Sequence, residues 1–183
     1  MILDFLLETG KLKNIKRAGW VINGIDGESV ADHCFRVCVL SMLLGDLLKD
    51  KYKIDMEKIL KISLLHDIAE SKIGDIPYES LKYLGEENKN RAEKEACKDL
   101  FKNIEKGDKY YALWEEFEDR KSIEAQIVRA ADKLEMMIQC YEYETRGHKL
   151  DQFWNNEFNF RDFKFDIVKE LFEELKKRRK NGR

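Results

Sequence analysis

The amino-acid sequence predicts an all-α fold, and three observations carry this prediction. The 183 residues include one proline and ten glycines, so few positions would break a helix. Leu, Lys and Glu are abundant, and these residues favour helices. Apolar residues recur with the 3.6-residue period of a helix, and no run alternates for long enough to require a sheet. At 43% hydrophobic and 38% charged residues, residues 1–183 are expected to form a single compact domain.

The apolar period also predicts the individual helices. In the N-terminal half we expect a short first helix, a glycine-rich loop over 17–26, a long core helix that Ser29 caps and that ends near Lys49, and a helix that Asp55 caps and that ends near Glu70. A loop over 71–78 with the only proline follows. In the C-terminal half we expect helices over 92–104 and 110–117, a long one that begins at Ser122 and stops at Gly147, and a last one over about 162–179.

Charge and hydropathy exclude several classes of partner. The net charge of -2 provides no basic field for DNA or RNA, so a nucleic acid polymer is not expected as a partner. No run of about 18 apolar residues would cross a membrane, and the N-terminus does not resemble a signal peptide, so a cytoplasmic location is expected. The four cysteines form no C-x-x-C pair and lie in apolar helical patterns, which favours small core residues over a zinc site or disulfides.

Two histidines and one aspartate interrupt apolar helix faces, and a second aspartate follows one of these histidines. His33 lies in the long core helix, His66 is followed at once by Asp67, and Asp132 interrupts the distant apolar stripe after Ser122. Buried carboxylates need positive charge nearby, and a divalent cation would supply it. Two imidazoles and two carboxylates suit Mn, Co, Fe, Ni or Zn. Two core histidines and two surface salt bridges would explain the same pattern without a metal.

His33, His66-Asp67 and Asp132 together resemble the H…HD…D signature of the HD-domain metal-dependent phosphohydrolases. Two longer segments, Glu28-Ser-Val-Ala-Asp-His33 and His66-Asp-Ile-Ala-Glu-Ser-Lys-Ile-Gly-Asp-Ile-Pro77, are similar to those of the 5'-deoxynucleotidase branch, which has bacterial, archaeal and eukaryotic members. The resemblance covers about residues 6–146 and implies a helical HD-domain bundle, to which residues 150–180 would add a C-terminal cap.

The resemblance implies a role for each matching residue. His33, His66, Asp67 and Asp132 would bind one divalent metal ion, with Mn or Co favoured and Mg or Zn also compatible. Glu70 would accept a proton from the attacking water, and Arg17 would orient the phosphate. The residues that would bind the rest of the substrate are Trp20, Asp75, Ile76, Pro77 and Tyr78.

Several of these residues also have a structural alternative. Glu70 could be a surface residue at a helix end, and Asp75 a turn or capping residue. Two residues separate Arg17 from Trp20, whereas the corresponding pair is adjacent in the bacterial members, and Lys16 is a second candidate for phosphate binding.

The resemblance therefore implies an enzyme, homodimeric by analogy with the family, that hydrolyses deoxyribonucleoside 5'-monophosphates to a deoxynucleoside and phosphate. The alternatives are an HD-domain pyrophosphohydrolase or phosphodiesterase for another nucleotide, and a helical module that binds metal or nucleotide without turnover. His148 matches no motif and is expected at the surface. An aromatic cluster over residues 153–165 could form a stacking surface, but a C-terminal cap or a subunit contact is favoured.

Overall fold

A computed structural model of the chain describes residues 2–161 and 163–182, and within them the fold is all-α, as predicted. The α-helices are α1 (Ile2–Thr9), α2 (Ala18–Val21), α3 (Val30–Leu48), α4 (Met56–Leu65), α5 (Glu70–Ile73), α6 (Leu81–Leu84), α7 (Glu86–Phe101), α8 (Gly107–Asp119), α9 (Ile123–Thr145), α10 (Asp151–Asn155) and α11 (Asp166–Asn181). Short 3-10 helices cover Gly10–Lys13, Tyr78–Ser80 and Glu157–Asn159. The described residues contain no strand, only one antiparallel bridge between Lys16 and Ser29.

Helices α3, α4 and α9 form the centre of the bundle. Helix α3 packs against both of the others, α8 and α11 pack against α9, and α7 covers α8. Their facing side chains are fully buried, among them Val37, Leu44, Ile59, Ile127 and Leu134. Since burial of apolar area is the main favourable contribution to folding, this three-helix core fixes the relative positions of the residues that α3 and α9 carry.

The predicted helix starts are confirmed by their capping bonds. The Ser29 hydroxyl accepts a hydrogen bond from the backbone N–H of Asp32 at 3.1 Å, and the Asp32 carboxylate accepts one from the N–H of Ser29 at 2.8 Å. Asp55 and Ser122 cap α4 and α9 in the same way, each accepting at 3.1 Å from an N–H three residues ahead. These caps satisfy backbone donors that a helix otherwise leaves unpaired.

Two predictions about the N-terminal half were wrong in detail. The helix that Asp55 caps ends at Leu65, and a turn over 66–69 separates it from α5. Within that turn, i to i−3 bonds such as Glu70 N–H to Asp67 C=O at 3.1 Å replace the α-helical pattern. The predicted loop over 17–26 contains α2, whose first N–H, that of Ala18, is capped by the distant Asp75 carboxylate at 2.8 Å.

The C-terminal half also departs from the prediction. The last helix begins at Asp166; the predicted start at residue 162 lies outside the described residues. Helix α7 begins before residue 92, and the short α6 and α10 were not predicted. Cys34, Cys97 and Cys140 are buried and Cys38 is partly buried, all as free thiols. None of the helices described is long and apolar enough to cross a membrane.

Candidate active site

Three separate segments bring two histidines and two aspartates to one point. His33 comes from α3, His66 and Asp67 from the turn after α4, and Asp132 from α9. The Nε2 of His33 lies 3.2 Å from Oδ1 of Asp132, 3.7 Å from Oδ2 of Asp67 and 3.5 Å from Nε2 of His66. The Nε2 of His66 lies 3.4 Å from the same Asp67 oxygen.

The spacing of these atoms suits a metal ion, because ligand atoms of His33, His66 and Asp132 all lie within 4.8 Å of one another and Asp67 adjoins His66. Bonds of about 2.0 to 2.2 Å from one cation to its ligands put neighbouring ligand atoms roughly 3 to 3.5 Å apart. The imidazole tautomers agree with this arrangement. The Nδ1 of His66 lies 2.8 Å from the carbonyl oxygen of Ser63, which can only accept, so Nδ1 carries the proton and Nε2 presents a lone pair. The Nδ1 of His33 likewise donates to the carboxylate of Glu135. Two imidazole lone pairs and two carboxylates that converge on one point form a donor set for a divalent cation.

The electrostatic field at this point is strongly negative. Burial and the charge of Arg17 both lower the pKa of His33, but hydrogen bonds with Asp132 and Glu135 outweigh them and raise that pKa to about 10. Burial raises the pKa of Asp132, but His33 and Arg129 lower it well below its ordinary value. A field that stabilises a proton on a fully buried imidazole also stabilises a cation.

Glu70 lies beside this donor set and is 6% exposed. Its Oε1 is 3.9 Å from the guanidinium NH1 of Arg17, whereas its Oε2 is buried and has no hydrogen-bond partner among the described residues. Burial, reinforced by the charges of Asp67 and Asp75, raises the pKa of Glu70 well above its ordinary value. A carboxylate in this state is a stronger base than an exposed glutamate and has one oxygen open to a donor.

Arg17 joins the acidic residues of the site. Its NH1 donates to Oδ2 of Asp67 at 3.1 Å and lies 3.8 Å from Oδ2 of Asp75. Burial lowers the pKa of Arg17, but the carboxylates around it raise that pKa well above its ordinary value, so its charge is permanent. The candidate Lys16 is directed elsewhere: its Nζ donates to the carbonyl oxygen of Gly27 at 2.7 Å, and it does not line the cleft.

A cleft of about 320 Å³ opens above the site, a size typical of small-molecule pockets. Its walls include all the predicted substrate residues, namely Arg17, Trp20, Asp75, Ile76, Pro77 and Tyr78, together with Asp67, Glu70 and Asp132. His33 and His66 are buried behind this surface. Trp20 is only 2% exposed, and its indole N–H donates to Oε1 of Glu28 at 2.9 Å.

The structure also reveals neighbours that the sequence analysis did not single out. The Arg36 guanidinium donates to Oε1 of Glu135 at 2.8 Å and to Gln139 and Glu142, so it supports the carboxylate that holds His33. Lys89, Arg129 and Lys133 add positive charge to the cleft. Arg129 stands one turn before Asp132 and donates to it at 3.1 Å, a spacing that could have identified it.

The helical bundle and this convergence of histidines and aspartates define an HD-domain protein. The chain belongs to the HD-domain family, whose model matches residues 9–175. It is 40% identical over 156 residues to the 5'-deoxynucleotidase HDDC2 of Dictyostelium discoideum, covering 81% of this chain and 80% of that protein. It is 37% identical over 163 residues to the 5'-deoxynucleotidase hdd1 of Schizosaccharomyces pombe, covering 83% and 78%.

Solved structures show the same fold. A conserved hypothetical protein from Pyrococcus furiosus is 41% identical and superposes with a TM-score of 0.83, over 96% of this chain and 99% of that one. A second protein, from Pyrococcus horikoshii, is 37% identical with a TM-score of 0.79, over 96% of each chain. A predicted metal-dependent phosphohydrolase from Magnetospirillum magnetotacticum shares 22% identity with a TM-score of 0.72, over 98% of this chain and 92% of that one, and so shares the fold.

Proposed function

We propose that this chain is a metal-dependent 5'-deoxynucleotidase, which hydrolyses deoxyribonucleoside 5'-monophosphates to a deoxynucleoside and phosphate. One observation carries the proposal. Oε2 of Glu70 is buried without a hydrogen-bond partner among the described residues, and this carboxylate lies beside the four donor atoms and the Arg17 guanidinium. The 5'-deoxynucleotidase names of relatives that match about four fifths of the chain support the same reaction.

The proposed cation ligands are Nε2 of His33, Nε2 of His66, Oδ2 of Asp67 and Oδ1 of Asp132, one ion per chain. The mixed nitrogen and oxygen donors suit Mn, Co or another transition metal, and Mg or Zn is compatible. When bound, a divalent cation supplies charge that neutralises phosphoryl oxygens and makes a water molecule more acidic.

The chain's own residues perform the remaining chemistry. Glu70 accepts a proton from the attacking water through its open Oε2, which leaves the water oxygen free to bond to phosphorus. Arg17 binds phosphoryl oxygens, and its planar fork orients them for in-line attack. Asp75 holds the 3'-hydroxyl of the sugar. The bond from phosphorus to the 5'-oxygen breaks, and that oxygen leaves as a hydroxyl after it takes up the proton that Glu70 accepted from the water.

A substrate panel tests this function. Ribo- and deoxyribonucleoside mono-, di- and triphosphates are assayed with Mn, Co, Mg and Zn, and the products are separated. Free phosphate and deoxynucleoside from monophosphates are expected. Pyrophosphate from triphosphates, or cleavage of phosphodiesters alone, would assign another HD-domain reaction, and binding without turnover would assign a non-catalytic module.

The metal assignment has its own test. His66→Ala and Asp67→Ala should each lose the ion that the wild type holds at about one per chain, because each deletes a ligand. His66 also packs against the core residue Phe117, whereas Asp67 does not belong to the apolar core, so Asp67→Ala is the cleaner of the two variants. Elemental analysis measures the ion, and circular dichroism checks that the helices remain. Full occupancy in both variants would contradict the ligand assignment.

We further propose that the enzyme is a homodimer with α3 at the interface. Besides its core face, α3 carries an exposed apolar stripe of Phe35, Val39, Met42, Leu43 and Leu47. A helix that is apolar on two faces is typical of one covered on both sides, and a twofold axis would let the same stripe cover itself. Leu43→Glu should yield monomers in light scattering, whereas Leu64→Glu, exposed on α4 outside the stripe, should not.

The proposed substrate also suggests where the enzyme acts. Deoxynucleoside monophosphates are intracellular metabolites, and four free thiols agree with a reducing compartment. We therefore propose a cytoplasmic location, which cell fractionation followed by immunoblotting would test.

A further inference from the structure

The aromatic residues near the C-terminus form two groups with different surroundings. Trp154, Phe160 and Phe163 pack against Phe172 of α11, with ring centres 5.0 to 6.0 Å apart. Phe153 and Phe158 instead line the cleft above the candidate active site. The expected C-terminal cap therefore accounts for the first group only, and the second group needs another explanation.

We propose that residues 152–159 form the surface that receives the nucleobase, an inference that rests on the proposed 5'-deoxynucleotidase function. Five members of this segment line the cleft: Gln152, Phe153, Asn156, Phe158 and Asn159. Two aromatic rings and three carboxamides suit the flat face and polar edge of a base. We call this segment the base wall.

The base wall contacts both segments that hold the rest of the substrate. Phe153 stacks on Trp20 of α2 with ring centres 4.8 Å apart, and Phe158 lies 5.0 Å from Tyr78 of the loop after Asp75. Arg17, proposed to bind the phosphate, directly precedes α2, and Asp75, proposed to bind the sugar, lies three residues before Tyr78. The base wall is therefore next to the segments that carry both residues. A nucleotide with its phosphate at Arg17 would therefore extend its base toward this wall.

Two cations lie against the Phe158 ring. The guanidinium of Arg161, which does not line the cleft, lies 4.3 Å from the ring centre. The ammonium of Lys133, which does line the cleft, lies 4.6 Å from it. Cations are attracted to the electron-rich face of an aromatic ring, so these contacts stabilise the position of the Phe158 ring.

Local hydrogen bonds fix the segment before any ligand binds. Asn159 donates from Nδ2 to the carbonyl oxygen of Phe153 at 2.9 Å, and Oδ1 of Asn156 accepts from the N–H of Phe158 at 3.1 Å. Asn156 is exposed and lines the cleft, and this bond uses its Oδ1 and not its amide nitrogen. A surface ordered in this way loses little conformational entropy on binding.

If the base wall binds the base, a change in it should affect only substrates that carry a base, unlike a change in the phosphate or sugar contacts. Phe158→Ala should lower kcat/KM for dAMP about 5- to 150-fold more than it lowers kcat/KM for 2-deoxyribose 5-phosphate, the range expected for one lost base contact on an aromatic ring. The second substrate carries the same phosphate and sugar but no base. Stacking depends little on base identity, so dTMP should behave like dAMP.

Further measurements separate a binding role from a folding defect. Phe158→Leu keeps the apolar volume without the ring and should reduce the preference for dAMP less than Phe158→Ala does. Free deoxyadenosine should inhibit competitively, with an inhibition constant that rises in Phe158→Ala by the same factor. Tyr83→Ala removes an aromatic ring outside the cleft and should leave both substrates and the inhibitor unaffected.

The outcomes distinguish this inference from the proposed function. The base wall would be overturned if the wild type hydrolyses dAMP but the ratio of kcat/KM for dAMP to that for 2-deoxyribose 5-phosphate is the same in the wild type and in Phe158→Ala. The 5'-deoxynucleotidase function would then remain intact. Equal kcat/KM values for dAMP and 2-deoxyribose 5-phosphate in the wild type would also overturn the base wall. A wild type that releases no phosphate from any deoxynucleotide would reject the proposed function itself.

Discussion

Glu135 holds His33 from the side of the imidazole that faces away from the converging donor atoms. The Nδ1 of His33 donates to Oε2 of Glu135, and both side chains are fully buried. The other oxygen of Glu135 accepts from Arg36 at 2.8 Å. This pair fixes both the tautomer and the orientation of His33, because a proton on Nδ1 leaves Nε2 as the metal-directed atom.

Glu135→Ala should therefore weaken metal binding about 10- to 100-fold, the loss typical of removing a partner of a metal-binding histidine. Glu135→Gln should lose less, because its amide oxygen still accepts from Nδ1. Competition with a chromogenic chelator measures the metal affinity directly. Glu142→Gln is the matched control, since Glu142 accepts from Arg36 at 2.7 Å without touching His33. Wild-type affinity in Glu135→Ala, with unchanged circular dichroism, would refute this role.

Glu70→Gln should separate binding from turnover. The amide keeps the size of the side chain but cannot accept the proton, so kcat should fall about 10²-fold or more. Metal content and the Kd for dAMP should change little, because Glu70 is not among the proposed ligands. Glu79→Gln, also in the cleft but exposed, is the control. Unchanged kcat in Glu70→Gln would assign the proton transfer to another group.

Features that depend on neighbouring residues were predictable from the sequence. Ser29, Asp55 and Ser122 cap helices through bonds to residues three positions ahead, so each helix start has a local signal. The sequence signal for His33, His66 and Asp132 is a polar residue that interrupts an apolar helical pattern, and Asp67 is adjacent to His66. Their convergence follows from the packing of α3, α4 and α9, for which the apolar period is the sequence signal.

Features that depend on distant partners were not predictable in this way. Arg36 and Glu135 are separated by 99 positions, and no local pattern links them. Helix α2 begins where Asp75, 57 positions away, caps Ala18. Phe153 and Phe158 looked like the other C-terminal aromatic residues, because only the path of the chain after α9 decides which rings reach the cleft.

Trp20 should contribute to the choice between deoxyribose and ribose. Its indole N–H already donates to Glu28, so it offers no donor to a 2'-hydroxyl, and an unpaired buried hydroxyl costs about 1 to 3 kcal/mol. This predicts roughly a 5- to 150-fold preference for dAMP over AMP in kcat/KM. Asp75→Asn should lower kcat/KM for both substrates. Trp20→Phe should narrow the difference in kcat/KM between them, because the smaller ring leaves room for a water molecule that pairs with the 2'-hydroxyl.

The choice of phenylalanine matters for this test. Trp20 belongs to the buried core, and truncation to alanine would cost about 3 to 5 kcal/mol of folding free energy. Phenylalanine keeps a ring against Phe153 and Tyr143. Equal kcat/KM values for dAMP and AMP in the wild type would reject the deoxyribose preference. If the ratio of these two values is the same in Trp20→Phe as in the wild type, Trp20 does not cause the preference.

Gly27 allows the loop that carries Arg17 to lie against α9. A Cβ at this position would lie 2.4 Å from the hydroxyl oxygen of Tyr143, which accepts the N–H of Glu28 at 2.8 Å. The carbonyl of Glu28 in turn accepts the N–H of Arg17 at 3.1 Å. Gly27→Ala should therefore destabilise the protein by about 1 to 3 kcal/mol and raise KM by displacing Arg17.

A double-mutant cycle with Tyr143→Phe tests this explanation for Gly27. Tyr143→Phe alone should cost about 1 kcal/mol, because the N–H of Glu28 loses its acceptor. It also removes the atom closest to the added Cβ, although Cζ of the ring would remain 3.0 Å away. Gly27→Ala should thus be less costly in the Tyr143→Phe background, with a coupling of about 0.5 kcal/mol or more in urea unfolding. Strictly additive costs would show that the hydroxyl contact is not the reason for glycine at this position.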